Sequence, residues 1–159
     1  MRAARTIRSA RRAAAIVLLL PIVGCDSPLS PTDLAGTYVL QRIAANPLPA
    51  ELYRNEDVAV RVIADTIRLR ADGTASTAGA TELEWLRDGA ASREQSSSES
   101  AAHFRIVDGR IEITWICPIN ANCAEGPHLI ARRDGDGLRV EHVLGANGPL
   151  FYTRIAGMR

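Results

Sequence analysis

Three sets of side chains in this chain could do chemistry. They are three cysteines (Cys25, Cys117, Cys123), three histidines (His103, His128, His142) and two carboxylates two residues apart, Glu82 and Glu84. A hydroxyl or thiol becomes a nucleophile when a base lies within hydrogen-bond reach. Paired carboxylates divide acid and base work when their surroundings push their pKa values apart. The spacing supports neither. There is no Gly-x-Ser-x-Gly elbow, no His-Glu-x-x-His, no phosphate loop and no dinucleotide fingerprint. Ser96, Ser97 and Ser98 have no adjacent base and are expected to face solvent. The histidines show no ligand spacing with neighbouring carboxylates. Glu82 and Glu84 share one face of an expected strand, near Arg87 and Arg93, and read as a solvated ionic face. His142 continues the face of Leu138 and Val140, which turns it inward as a hydrogen-bonded histidine or a ligand contact. The expectation is a protein that is not an enzyme, with no catalytic residue, no metal site and no cofactor.

The N-terminus carries a different kind of signal. Arg2, Arg5, Arg8, Arg11 and Arg12 precede an apolar run, Ala13 to Val23, with no acid before Cys25. Eleven apolar residues are too few to span a bilayer, which takes roughly 20. A basic start with a short apolar run reads as a signal peptide. Its end, Ile22-Val23-Gly24-Cys25, resembles the lipobox of bacterial lipoproteins. That resemblance implies cleavage before Cys25, a diacylglycerol on its sulfur and an acyl group on its amine. Two or more chains hold a protein on a membrane where one holds it marginally, at about 0.8 kcal/mol per buried methylene. It also implies export and attachment to the cell envelope, with the inner and outer membranes both open. Asp26 is similar to an inner-membrane retention signal. Residues 25–33, whose prolines and serines resist helix and strand, are expected to form a flexible tether.

Export sets the chemistry of the other two cysteines. With Cys25 lipidated, Cys117 and Cys123 remain in an oxidising compartment, and even arithmetic pairs them. Closing so short a loop is worth about 2.4 kcal/mol in the chain-entropy picture. A redox pair needs closer spacing and a helix N-terminus. A zinc site needs two further ligands.

The body is mildly acidic. All 19 basic residues are arginine; taking away the five before Cys25 leaves 14 against 18 acids, a net charge of about −4. Nucleic acid needs clustered cations to displace its counterions, so it is excluded as a partner.

The elements that must hold these residues read as strands. Val58, Val60 and Val62 share one face, with Arg61 opposite. Ile67 and Leu69 alternate with Arg68 and Arg70, Ile111, Ile113 and Trp115 with Arg110, Glu112 and Thr114, and Leu138 and Val140 with Arg139 and Glu141. Such period-two patterns mark strands with one buried face. Ala71-Asp72-Gly73, Asp88-Gly89, Asp108-Gly109, Asp134-Gly135-Asp136-Gly137 and Asn147-Gly148-Pro149 are turn signals. Expected strands are 36–43, 57–63, 65–71, 73–87 with a break near Gly79, 92–107, 110–116, 127–133, 138–144 and 149–156. Residues 90–102 read equally as a loop or a polar hairpin arm. The fold expected is all-β: an antiparallel up-and-down barrel of about eight strands after an N-terminal signal segment. The domain division is 1–24 signal peptide, 25–33 tether and 34–157 barrel.

The stretches "LAGTYVLQRIAANPLPAELY", "IRLRADGTAS", "FRIVDGRIEITW" and "GPLFYTRIA" resemble small secreted bacterial lipoproteins with lipocalin-like or META-like β-barrels. The resemblance covers most of residues 34–156. Two functions follow as expectations: an envelope-anchored binding or interaction module, or a carrier of a small apolar ligand. An envelope protein is the alternative partner. An immunoglobulin-like sandwich fits less well, because the hairpins meander and the cysteine pair is local. Ile67, Leu69, Ile113, Trp115, Val140 and His142 are the candidate cavity-lining residues. Trp85 and Trp115 are expected in the core, with a cavity wall or an interface as the other placements.

Overall fold

In a computed structural model, the described residues are 28–86, 92–117, 128–142 and 148–155. A short helix, α1 (Pro31–Leu34), leads into ten strands. These are β1 (Gly36–Ile43), β2 (Asn46–Pro47), β3 (Ala50–Arg54), β4 (Val58–Leu69) and β5 (Thr74–Trp85). They continue as β6 (Ser92–Val107), β7 (Arg110–Trp115), β8 (Leu129–Asp134), β9 (Gly137–His142) and β10 (Leu150–Ile155).

Every strand pairs antiparallel with its neighbour from β4 through β10, and β10 pairs with β1. Gly36–Val39 of β1 also pair with Thr66–Leu69 of β4, which closes an eight-stranded up-and-down barrel. Closure satisfies the edges that an open sheet would expose. Beyond Val39 the two closing strands separate. There β2 adds to β1 and β3 adds to the first half of β4. The barrel is therefore tight at one end and splayed at the other.

The tight end carries the short turns. Asp108 and Gly109 both have positive φ, the backbone twist a two-residue hairpin needs. Asp134 pairs directly with Gly137 across the second such turn. Asp72 accepts hydrogen bonds from the backbone and hydroxyl of Thr74 at 2.9 and 2.7 Å, fixing the third.

Helix α1 plugs this end, which corrects the expectation of an unstructured tether through residue 33. Proline is tolerated in the first helical turn because its missing N–H is unpaired there anyway. Ser30 caps the helix, its side chain and Asp33 satisfying each other's backbone N–H. Leu34 is thereby driven into the barrel, and its carbonyl accepts the Tyr38 hydroxyl at 2.7 Å. Leu34, Tyr38, Leu40, Ile67, Leu69, Ile111, Ile113, Leu138 and Val140 form the packed core. Burying a side chain of this size contributes about 1.5–3 kcal/mol.

Two expected strands, 57–63 and 65–71, are one strand with a bulge between Val62 and Ala64. The extra residue shifts the parity, so Val62 and Ile67 both belong to the core although they are an odd number of positions apart. Strand β5 is unbroken at Gly79. Residues 92–102 are strand, settling the loop-or-arm alternative for them. Two small strands, β2 and β3, escaped the sequence reading. The Asp88-Gly89 turn and residues 143–147 lie outside the described residues.

Candidate functional site

The splayed end holds a pocket of about 180 Å³. Its polar wall comes from three consecutive strands: Asp65 on β4, Thr77, Gly79 and Thr81 on β5, and Ser98 on β6. Its apolar wall comes from Leu52 of β3, Leu129 of β8 and Leu150 of β10, with Trp115 of β7 at the rim. The pocket is amphipathic because the strands that form it alternate different residue types on their inner faces.

Asp65 reaches this position through the β4 bulge. It follows the parity of Ile67 and Leu69, so it turns inward with them. The Tyr152 hydroxyl donates to Asp65 Oδ2 at 2.7 Å, and the Thr66 backbone N–H donates to Oδ1 at 2.7 Å. Burial pushes the Asp65 carboxyl above the ordinary carboxylate range, against the pull of those two hydrogen bonds. Burial also pushes Tyr152 well above its usual range, and the neighbouring carboxylate adds to that. The pair ties β4 to β10 across the barrel.

Gly79 lies opposite Asp65 in the β4–β5 register. A Cβ there would stand 3.4 Å from Asp65 Oδ1 and from the Ala64 carbonyl. The missing side chain therefore leaves open volume beside the acid. An isolated glycine inside a strand often marks such a place.

Trp115 is 41% exposed and Trp85 is 44% exposed, which corrects their expected placement in the core. Both lie at the splayed end, where the barrel no longer surrounds them. His128 stacks on Trp115 with ring centroids 4.5 Å apart and accepts the Trp115 backbone N–H at Nδ1, 3.2 Å. The histidine thus braces the rim.

The other candidate residues are dispersed. Ile67, Leu69, Ile113 and Val140 are packed in the core, below the pocket rather than along it. His142 ends β9 opposite Ile130. His103 is exposed on β6. Glu82 and Glu84 face outward to Arg61 and Arg93, at 3.9 and 3.2 Å. Such exposed pairs contribute at most about 1 kcal/mol. Arg87 lies outside the described residues. Ser98 stands at the lip of the pocket, exposed like Ser96 and Ser97. Cys25 and Cys123 lie outside the described residues; Cys117 follows β7 at the splayed end. Among the described residues, no three His, Cys, Asp or Glu side chains converge as a metal site.

Sequence reasoning missed Asp65, Tyr152 and Gly79. The signals were present. Asp65 continues the Ile67/Leu69 face, Tyr152 continues the Leu150 face, and Gly79 interrupts an otherwise regular strand. No protein-family model, curated protein or solved structure matches this chain. The small eight-stranded barrel, with one end closed and one end open, is consistent with a lipocalin-like barrel.

Proposed function

We propose that this protein is an exported, lipid-anchored binding module of the cell envelope that holds a small ligand at the open end of its barrel. It is a non-catalytic binder, akin to lipocalin-like or META-like lipoproteins. The observation that carries this reading is the pocket: a half-open, two-faced space inside the barrel mouth, floored by a partly buried carboxylate. Small barrels either fill their interior or keep room for one ligand. This one fills one end and keeps room at the other.

The anchor fits the same polarity. The lipobox reading puts the acyl chains on Cys25, and the chain enters the barrel at its closed end through α1. Five residues separate Cys25 from the helix, a reach of at most about 18 Å. The closed end would then face the bilayer and the mouth would face away from it. A Cys117–Cys123 disulfide would pin the β7–β8 connection beside the mouth; the cysteine arithmetic and the engaged state of Cys117 support it.

Two experiments test the two halves. Intact mass of protein taken from membranes should show an N-terminus at Cys25 with acyl mass, lost in Cys25→Ser; an unmodified thiol there contradicts the anchor. Benzyl alcohol should change the Trp115 fluorescence saturably in a Trp85→Phe background and not in Trp85→Phe/Gly79→Val. No saturable change contradicts the pocket.

A further inference from the structure

The chemistry of the pocket narrows its ligand. Among the described residues that line it, Asp65 is the one charged group. Tyr152 on β10 is the other titratable group; β3, β5, β6, β7 and β8 contribute neutral side chains. None of the described arginines contributes to the lining, and among the described residues Asp65 is shifted by its burial and by hydrogen bonds from Tyr152 and Thr66. The described arginines paired with acids sit on the barrel exterior, as with Arg105 and Glu112 at 2.8 Å. A carboxylate partly withdrawn from water, with no countercharge among the described residues, is disfavoured, and its two hydrogen bonds offset only part of that cost.

Resting on the pocket reading above, we propose that the ligand is a small organic ammonium ion, a protonated primary amine on a ring or short alkyl body. Its ammonium group docks on the Asp65 carboxylate, with the hydroxyls of Thr77, Thr81 and Ser98 as further acceptors. Its apolar body lies against Leu52 and Leu150. The Trp115 indole at the rim adds the attraction of an aromatic face for a cation. The volume sets the size. A cavity of roughly 150 Å³ holds benzene, and this pocket is about 180 Å³. An acyl chain or a sterol would overfill this volume and protrude from the mouth, and an anion is repelled by the ionised form of Asp65.

Docking is linked to a proton. Burial favours the protonated form of Asp65, and an adjacent ammonium favours the ionised form. Where Asp65 is protonated, binding releases that proton to solvent. Affinity for an ammonium therefore rises with pH through the Asp65 titration, and affinity for a neutral ligand of the same shape does not.

The test uses the full chain in nonionic detergent, with Trp85→Phe so that Trp115 is the reporter. Benzylammonium, benzyl alcohol and benzoate are titrated as three probes of nearly equal size. The expected result is benzylammonium at least tenfold tighter than benzyl alcohol, with benzoate weakest. Asp65→Asn should erase that preference and leave benzyl alcohol within twofold. If Asp65→Asn fails to fold, the pH dependence of the unsubstituted pocket decides: the ammonium-to-alcohol preference should grow as pH rises. Equal affinities for alcohol and ammonium, a preference that survives Asp65→Asn, or a preference flat with pH each overturn the ammonium assignment while leaving the pocket standing. Failure of all three probes to bind overturns the pocket reading as well.

Discussion

At the closed end of the barrel, the inward positions are Leu34, Tyr38, Ile67 and Leu69, all nearly free of solvent. Toward the open end, on β4 and its neighbour β5, they are Asp65, Thr77, Gly79 and Thr81. The hydrogen-bonded ladder continues through both regions. The difference lies in side-chain volume and polarity. One end is packed to hold the fold together; the other gives up packing and keeps a polar space. Stability and binding should therefore separate spatially, and substitutions can break or sharpen that division.

The largest effects are expected at the closed end. A Cβ at Gly137 would stand 2.1 Å from the Tyr152 carbonyl oxygen, an impossible contact with backbone. Gly137→Ala should cost about 2–4 kcal/mol in denaturant unfolding. Leu34→Ala should cost a similar amount, about 2–4 kcal/mol, because the plug leaves a void that strands cannot collapse into. Tyr38→Phe, which orphans the buried Leu34 carbonyl, should cost about 1 kcal/mol. None of the three should weaken benzyl alcohol binding in the fraction that remains folded.

The open end should respond in the opposite way. At Gly79 the nearest atoms to a new Cβ are at ordinary contact distance, 3.4 Å. Gly79→Ala should leave stability unchanged or raise it by about 0.5–1 kcal/mol, since glycine weakens a strand interior. The added methyl should lower probe affinity several-fold. A loss of stability equal to that of Gly137→Ala would erase the distinction between the two ends.

The smallest effect is in pH. Asp65 binds its proton more tightly folded than unfolded, because burial raises its pKa. Between the ordinary carboxylate range and the raised value, the folded chain holds the extra proton. Stability should thus fall as pH rises through that window and level off above it. Asp65→Asn should remove this slope and be the more stable protein at neutral pH.

The closed end was far more legible in the sequence than the open one. Alternation at Ile67/Leu69, Ile111/Ile113 and Leu138/Val140 states which face is buried, and Asp108-Gly109 states where the chain turns. These are local signals with strong physical causes. The pocket depends on features without such redundancy. One bulge at Val62–Ala64 puts Asp65 on the same face as Val62, and a bulge leaves only a parity change in sequence. Gly79 reads as a strand breaker, because its use as open volume depends on a residue 14 positions earlier in β4. Trp115 reads as core because tryptophan usually is; its exposure follows from where β7 stops. Helix α1 was hidden by Pro31, whose helix-breaking effect reverses at a helix start.

On the reading proposed above, one end of the barrel is filled and the other receives a ligand. The most direct measurement is backbone amide chemical-shift mapping with benzyl alcohol, a neutral probe that does not presuppose the ammonium assignment. Shifts confined to Asp65, Gly79, Trp115, Tyr152 and their neighbours, with Leu34, Tyr38, Ile111 and Leu138 unmoved, are the predicted result. Shifts centred on the closed end, or none at saturating probe, would contradict it.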